Sequence, residues 1–374
     1  MAESSIIEKI QKHTLKLQDK LKKNEENLIN RILNSPNKSN LDINFVDNLD
    51  ICEVKSKKRL SAKLRYSRSI EEEEQKANNE KYECKLLWTV QDNVFRSDVS
   101  WLNNGILTVA EHDRNQTILM DMNSALEQKK SRIEASSIGD EEFKPICISC
   151  SENEDNIALT DDSQMIKIFS LENGSCLTSW GSDVLMRPYG ICQVSHDRLA
   201  ITDSELHHMA VHHINGQIIF SCGKRGDKLE EFDHPLYICS SQTGLLYIAD
   251  SFNDCIKVVD EKSGKVVQKY ACSGDKDGQI KEPRGVCVDI FGNIYVVDSG
   301  NERISMFDNK GVFIKQVLKG IPSAYACAVG NGGLFALTST DGMRVYKLPV
   351  WMTNPAEDVE SAIEEEMKNM YYES

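Results

Sequence analysis

Residues 283–308 read PRGVCVDIFGNIYVVDSGNERISMFD. An apolar run at 285–289 is followed by the turn pair Gly292 and Asn293 and by a second apolar run at 294–297. Asp298 opens a polar loop, and a third run covers 303–307. Strand-length apolar runs separated by tight-turn residues predict an antiparallel meander. A meander of this size cannot bury both of its faces, so it requires neighbours.

The rest of the chain supplies them. The residue that opens the polar loop recurs at Glu111, Asp161, Asp203, Asp250, Asp298 and Thr338, at spacings of 50, 42, 47, 48 and 40 residues. Each is preceded by an apolar strand and followed by an alternating one. Six units of about 44 residues with four short strands each define a propeller. The fold class expected is therefore all-β, a six-bladed β-propeller over residues 84–350. The last unit offers only three strands of its own, at 325–329, 334–338 and 343–347. The apolar segment KLLWTV at 85–90 stands ahead of the first unit's inner strand. Pairing it with 343–347 would complete the last blade and remove two open sheet edges.

The segments YIADSFNDCIKVVD at 247–260 and PRGVCVDIFGNIYVVDSGNERISMFD at 283–308 closely resemble NHL repeats. The resemblance extends over about 265 residues and implies the same six-bladed propeller. The family's histidine after the loop asparagine is absent, because Asn301 is followed by Glu302 and Asn253 by Asp254. The order helix, linker, propeller is similar to the C-terminal part of tripartite-motif NHL proteins. Their RING and B-box modules need many cysteine and histidine ligands upstream, whereas residues 1–83 hold only Cys52 and His13. Ubiquitin-ligase chemistry thus has no module here, although a substrate-recognition role in a ligase assembly is what the resemblance allows.

The flanks differ from the repeat array. Ile7, Ile10, Thr14, Leu17, Leu21, Asn24 and Leu28 follow alternating three- and four-residue steps, which predicts a helix over 3–33 ended by Pro36. It either forms a short coiled coil that makes a homodimer or packs on the propeller. Residues 35–83 read as a disordered charged linker. Seven basic residues and no acid fall between Lys55 and Arg68, and Glu71 to Glu74 follow. This is a solvated, self-attracting run or, in the sharper reading, a nuclear-import or RNA- and lipid-contact patch that phosphorylation of Ser61 or Ser69 would cancel. Residues 351–374 are acidic, with a Val359, Ile363, Met367, Met370 stripe that predicts either a C-terminal helix docked on the propeller's side or a partner-binding or frayed acidic tail.

The net charge is −14 over 374 residues, and 84–350 carries 26 basic against 36 acidic residues. An acidic propeller is a poor generic binder of phosphate backbones unless a local patch overrides the balance. No run of 18 apolar residues and no signal segment is present, so a cytoplasmic protein with no membrane partner is expected, nuclear if the basic run is read. The twelve cysteines then read as reduced thiols.

No catalytic or metal constellation emerges, and no cofactor is expected. Cys147, Cys192, Cys239, Cys287 and Cys327 fall at one repeat position of the inner strands and read as small packing residues. His207, His208, His212 and His213 flank a single loop and strand, and only His234 lies near a lead-in position. The resemblance includes metal-dependent lyases, and other six-bladed propellers are calcium lactonases. Asp250 and Asp298, however, read as loop-opening residues bonded to nearby backbone N–H groups.

What remains is a surface. One rim of a propeller is built by the loops leading into the inner strands and by those joining second to third strands. The first kind carries Lys144, Arg187, Tyr189, His234, Tyr237, Arg284 and Tyr325, and the second carries Phe252, Asn253, Asn301 and Arg303. Cations and aromatics on one rim suit single-stranded RNA and serve equally as protein-interface anchors. The resemblance implies either partner. The acidic Asp254, Glu282 and Glu302 on the same rim favour protein, with post-transcriptional RNA binding as the alternative.

Overall fold

The computed structural model describes residues 83–352, apart from 93, 123–134, 139–142, 152, 154, 350 and 351. The helix expected at 3–33, nearly all of the charged linker and the acidic tail stripe lie outside the described residues. No helix among the described residues is long and apolar enough to cross a membrane.

Six four-stranded antiparallel sheets follow one another along the chain. Blade one comprises Arg96–Trp101, Ile106–Glu111, Gln116–Asp121 and Ala135–Ile138, and blade two Pro145–Cys150, Asn156–Asp161, Ile166–Ser170 and Cys176–Trp180. Blade three comprises Pro188–Ser195, Arg198–Asp203, His208–His213 and Ile218–Cys222. Blade four comprises Pro235–Ser240, Leu245–Asp250, Cys255–Asp260 and Lys265–Tyr270. Blade five comprises Pro283–Val288, Ile294–Asp298, Arg303–Phe307 and Phe313–Lys319. Blade six takes Ala324–Val329, Leu334–Ser339 and Gly342–Lys347 from the end of the array and Lys85–Val90 from its start. Each inner strand touches the inner strands on either side, and blade six meets blade one, so the ring is closed.

Burial explains the residue pattern strand by strand. Second strands lie between two neighbours and two blades, so LLYIAD at 245–250 is buried from its second residue onward. They read as continuous apolar runs for that reason. Outermost strands face solvent on one side, and KVVQKY at 265–270 buries only Val266 and Tyr270. Tyr247, Tyr295, Phe143, Phe232, Phe307 and Phe335 are among the largest fully buried side chains.

The closing strand pairs as the missing fourth strand required. Lys85 lies opposite Lys347, Leu86 opposite Tyr346 and Val90 opposite Met343, in antiparallel register. Trp88 is buried there. Two sequence expectations are corrected in register. In blade six the place of the loop-opening acid is taken by Ser339 rather than Thr338, because Ser339 pairs with Ala324 as Asp298 pairs with Pro283. The five inner-strand cysteines do not share one position. Cys192, Cys239 and Cys287 face Ala200, Tyr247 and Tyr295, whereas Cys327 faces Leu337 and Cys147 faces Thr160. Cys147 stands two residues and Cys327 three after the first residue of its inner strand, against four for Cys192, Cys239 and Cys287.

Candidate interaction face

The lead-in loops and the second-to-third-strand loops meet on one face of the ring, and buried acids tie them together. Asp203, Asp250 and Asp298 are fully buried. Asp250 Oδ1 accepts the N–H of Asp233 at 2.7 Å, Asp298 Oδ1 that of Lys281 at 2.7 Å, and Asp203 Oδ2 that of Met186 at 2.8 Å. Every donor stands two residues before the proline that starts the inner strand. Asn253 Nδ2 and Asn301 Nδ2 donate to these acids and also to the carbonyls of Gly226 and Gly274 in the lead-in loops. The backbone-bonding role expected of Asp250 and Asp298 is therefore present, and it reaches across to the lead-in loop. Burial pushes the Asp250 carboxyl up to about 6, against the pull of Asn253 and Lys257.

Two buried cations finish the same device, and here one predicted site residue is corrected. Arg303 is 6% exposed. Its Nε donates to Asp298 Oδ2 at 2.7 Å, and its terminal nitrogens donate to the carbonyls of Asp275, Lys276 and Gln279 at 2.8, 2.9 and 2.7 Å. It holds the lead-in loop of blade five from beneath and offers no rim surface. Lys257 does the same in blade four, where its ammonium donates to the carbonyls of Leu229 at 3.1 Å and Glu231 at 2.7 Å beside Asp250. Sequence reasoning missed Lys257 because a lysine within a strand reads as outward-facing.

Tyr237 is the second correction. It is buried, and its hydroxyl donates to the Ser97 carbonyl of blade one, on the far side of the ring from blade four. The side chain thus spans the central channel and closes it. Tyr189 packs edge-on against Tyr237 with ring centroids 5.3 Å apart. Arg284 lies over the Tyr325 ring at 4.3 Å, and Tyr325 packs on Phe95 at 4.8 Å. Tyr189, Arg284 and Tyr325 are half-buried and fill the channel mouth.

Behind Tyr237 the channel is a blind cavity of about 400 Å³ lined by all six inner strands, including Cys147, Cys192, Cys239, Cys287 and Cys327. Burial raises the Cys147, Cys239 and Cys327 thiols well above their ordinary range, so they are poor nucleophiles. All cysteines among the described residues are free. Asp98 also lines this cavity and accepts from the N–H groups of Val99 and Ile148 at 2.8 Å each. Burial still pushes its carboxyl up to about 7. The folded protein therefore keeps a proton that the unfolded chain releases near 3.8, and this group's contribution to stability is lost as pH rises from about 4 to about 7. Carbon-labelled aspartate should show the Asp98 carboxyl titrating near neutrality, above that of Asp250, and a set of aspartates all titrating below about 5 contradicts this.

Away from the channel, the face over blades three and four is exposed. Lys144 and Arg187 are exposed at the starts of blades two and three. Val184, Met186, Leu229 and Phe252 are 40%, 53%, 44% and 63% exposed on the lead-in loops of blades three and four and the second-to-third-strand loop of blade four. These loops adjoin. Arg187 O accepts from Ser204 at 3.0 Å, the His207 and His234 rings meet at 4.7 Å, and His234 stacks under Phe252 at 4.2 Å. The predicted residues thus split into a filled channel mouth (Tyr189, Tyr237, Arg284, Tyr325), a buried tie (Arg303) and an outer face carrying Arg187 and His234. Apart from Phe252, its apolar members were not foreseen, because isolated Val, Met and Leu in loops carry no pattern.

No protein-family model matches the chain, and no curated protein matches it in sequence. The fold is shared with solved structures. A protein of unknown function from Bacteroides thetaiotaomicron VPI-5482 is 10% identical with a TM-score of 0.56, over 71% of this chain and 72% of that one. A chain of a mitotic checkpoint complex is 10% identical with a TM-score of 0.50, over 71% and 90%. A streptogramin B lyase is 15% identical with a TM-score of 0.49, over 71% and 96%. At such identities the likeness is one of fold alone. The class follows from this chain's own sheets: a β-propeller of six four-stranded blades.

Proposed function

We propose that this chain is a non-catalytic interaction protein of the NHL-propeller type that binds protein partners through the outer face of blades three and four. The observation that carries the reading is the group of four exposed apolar side chains, Val184, Met186, Leu229 and Phe252, on adjoining loops beside Arg187 and Arg225. Exposed apolar groups gathered on one face of a folded chain favour a macromolecular partner, and an aromatic and an arginine are the usual anchors. The NHL reading draws further support from the repeated buried acid, loop asparagine and buried cation of blades four and five. In this reading the helix at 3–33 would pair two propellers, so that two modest contacts gain through effective concentration. A place as the substrate-recognition part of a ubiquitin-ligase assembly is the form that the NHL resemblance implies.

Protein is preferred over single-stranded RNA because the aromatics predicted to stack bases are engaged within the protein, Tyr189 with Tyr237 and Tyr325 with Phe95 and Arg284. The test uses the full chain with single-stranded RNA across a salt series. Weak binding, with little change when Arg187 and Arg284 are neutralised, is expected. Tight, steeply salt-dependent binding lost in those variants would replace the protein reading with the RNA one.

A further inference from the structure

The junctions that follow blades two, three and four present the same three positions. One is the left-handed residue near the end of the second-to-third-strand loop, and the other two precede the next inner strand. Between blades four and five they hold Asp254, Lys281 and Glu282, and between blades two and three Gln164, Met186 and Arg187. Between blades three and four they hold His207, Asp233 and His234. The backbone at this junction is the same as at the next. His207 and His234 have φ of 52° and 53°, and Asp254 and Glu282 have 48° and 46°. At the four-to-five junction Asp254 Oδ1 accepts the N–H of Glu282 at 2.7 Å, and at the three-to-four junction His207 Nδ1 accepts that of His234 at 3.1 Å. At the three-to-four junction the fold brings three side chains together, two imidazoles and a carboxylate.

We propose that His207, Asp233 and His234 form a binding site for a zinc-like divalent cation that bridges blades three and four on the outer face. Asp233 Oδ1 lies 3.3 Å from His207 Nδ1 and 2.9 Å from His234 Nδ1. One ligand atom from each of the three residues falls within 4.8 Å of the others. A tetrahedral zinc with bonds of about 2.0–2.1 Å holds its ligands about 3.3 Å apart, so the site needs only a slight opening. Two imidazoles and one carboxylate leave a fourth position for water, on a face that solvent reaches. Asp233 is held from behind, because its N–H is bonded to buried Asp250.

Three interactions compete with the cation, the first being the 2.9 Å hydrogen bond between His234 Nδ1 and Asp233 Oδ1. The His207 Nδ1 lone pair is engaged by the His234 N–H, so the ring either turns that atom to the metal or presents Nε2. Arg225 Nε stands 3.9 Å from Asp233 Oδ1 with a side chain 72% exposed, so it swings into water when a cation arrives. Metal binding here stands apart from partner binding, since it needs only the protein and the ion.

The test is a titration of the metal-stripped full chain with Zn²⁺ alone, against a chromophoric chelator. One zinc per chain is expected. Asp233→Asn and His234→Asn should each weaken binding by about tenfold or more. Asparagine tolerates the left-handed backbone, and melting curves without metal confirm that the variants fold. Arg225→Ala should bind as tightly as the unaltered chain or more tightly. Co²⁺ in place of zinc should give the visible bands of a four-coordinate nitrogen and oxygen site. Absence of zinc binding by the full chain overturns the proposal. So does binding that is unchanged in both asparagine variants, or a thiolate-to-cobalt charge-transfer band, which would place the metal on cysteines instead.

Discussion

Replacing Arg303 with Met should destabilise the propeller by about 3–5 kcal/mol, the cost of leaving a buried carboxylate without its partner. The Asp298 side chain is fully buried and that of Arg303 is 7% exposed. The substitution also strands the carbonyls of Asp275, Lys276 and Gln279, which the lead-in loop of blade five presents inward. A fall in melting temperature of roughly 10 °C or more should result. Lys257→Met should act in the same direction through Asp250 and the lead-in loop of blade four. Arg284→Met is the informative comparison, because Arg284 only stacks on Tyr325 at the channel mouth and should cost no more than about 1 kcal/mol. Denaturant unfolding of the three variants separates the cases. Equal, small losses in all of them would mean that Arg303 is not the buried tie described above.

Gly342→Ala should be comparably damaging, for a reason confined to the closure of the ring. Gly342 has a φ of 136°, and a Cβ there would stand 2.0 Å from the Val90 carbonyl oxygen, at the end of the closing strand. Backbone strain and the clash together should exceed about 3 kcal/mol. Gly320→Ala isolates the strain, since Gly320 has a φ of 66° with nothing within 4 Å of the added carbon, and should cost about 1–2 kcal/mol. Hydrogen exchange locates the effect. In Gly342→Ala the amides of Lys85–Val90 should lose protection ahead of the other strands. Uniform loss around the ring would contradict a closure made by this strand.

Much of this architecture is legible in sequence because blades repeat. The meander at 283–308 shows its three strands as period and turn chemistry, and its recurrence counts the blades. Even the closing strand is legible, as an apolar segment with no partner of its own at one end and a missing strand at the other. The site is less legible, because its side chains are directed by contacts between distant segments. Arg303 follows a polar loop and reads as a rim cation, yet residues 275–279 fold over it and bury it. Tyr237 reads as a surface aromatic until Ser97, 140 residues earlier, is found across the channel. His207 and His234 are separated by 27 residues and meet only because a blade junction lies between them.

The outer face of blades three and four is the centre of the functional account, and capture experiments in nuclease-treated extract test it most directly. The bait is the full chain, compared with a Met186→Asp and Phe252→Asp double variant and with Ile290→Ser. Ile290 is 71% exposed in the first turn of blade five, on the opposite face, and so controls for any exposed apolar residue. A defined set of proteins retained by the full chain and by Ile290→Ser, and lost in the double variant, is the result predicted. Retention of the same proteins by a folded double variant, or their loss on nuclease treatment, would contradict a protein-binding face at blades three and four.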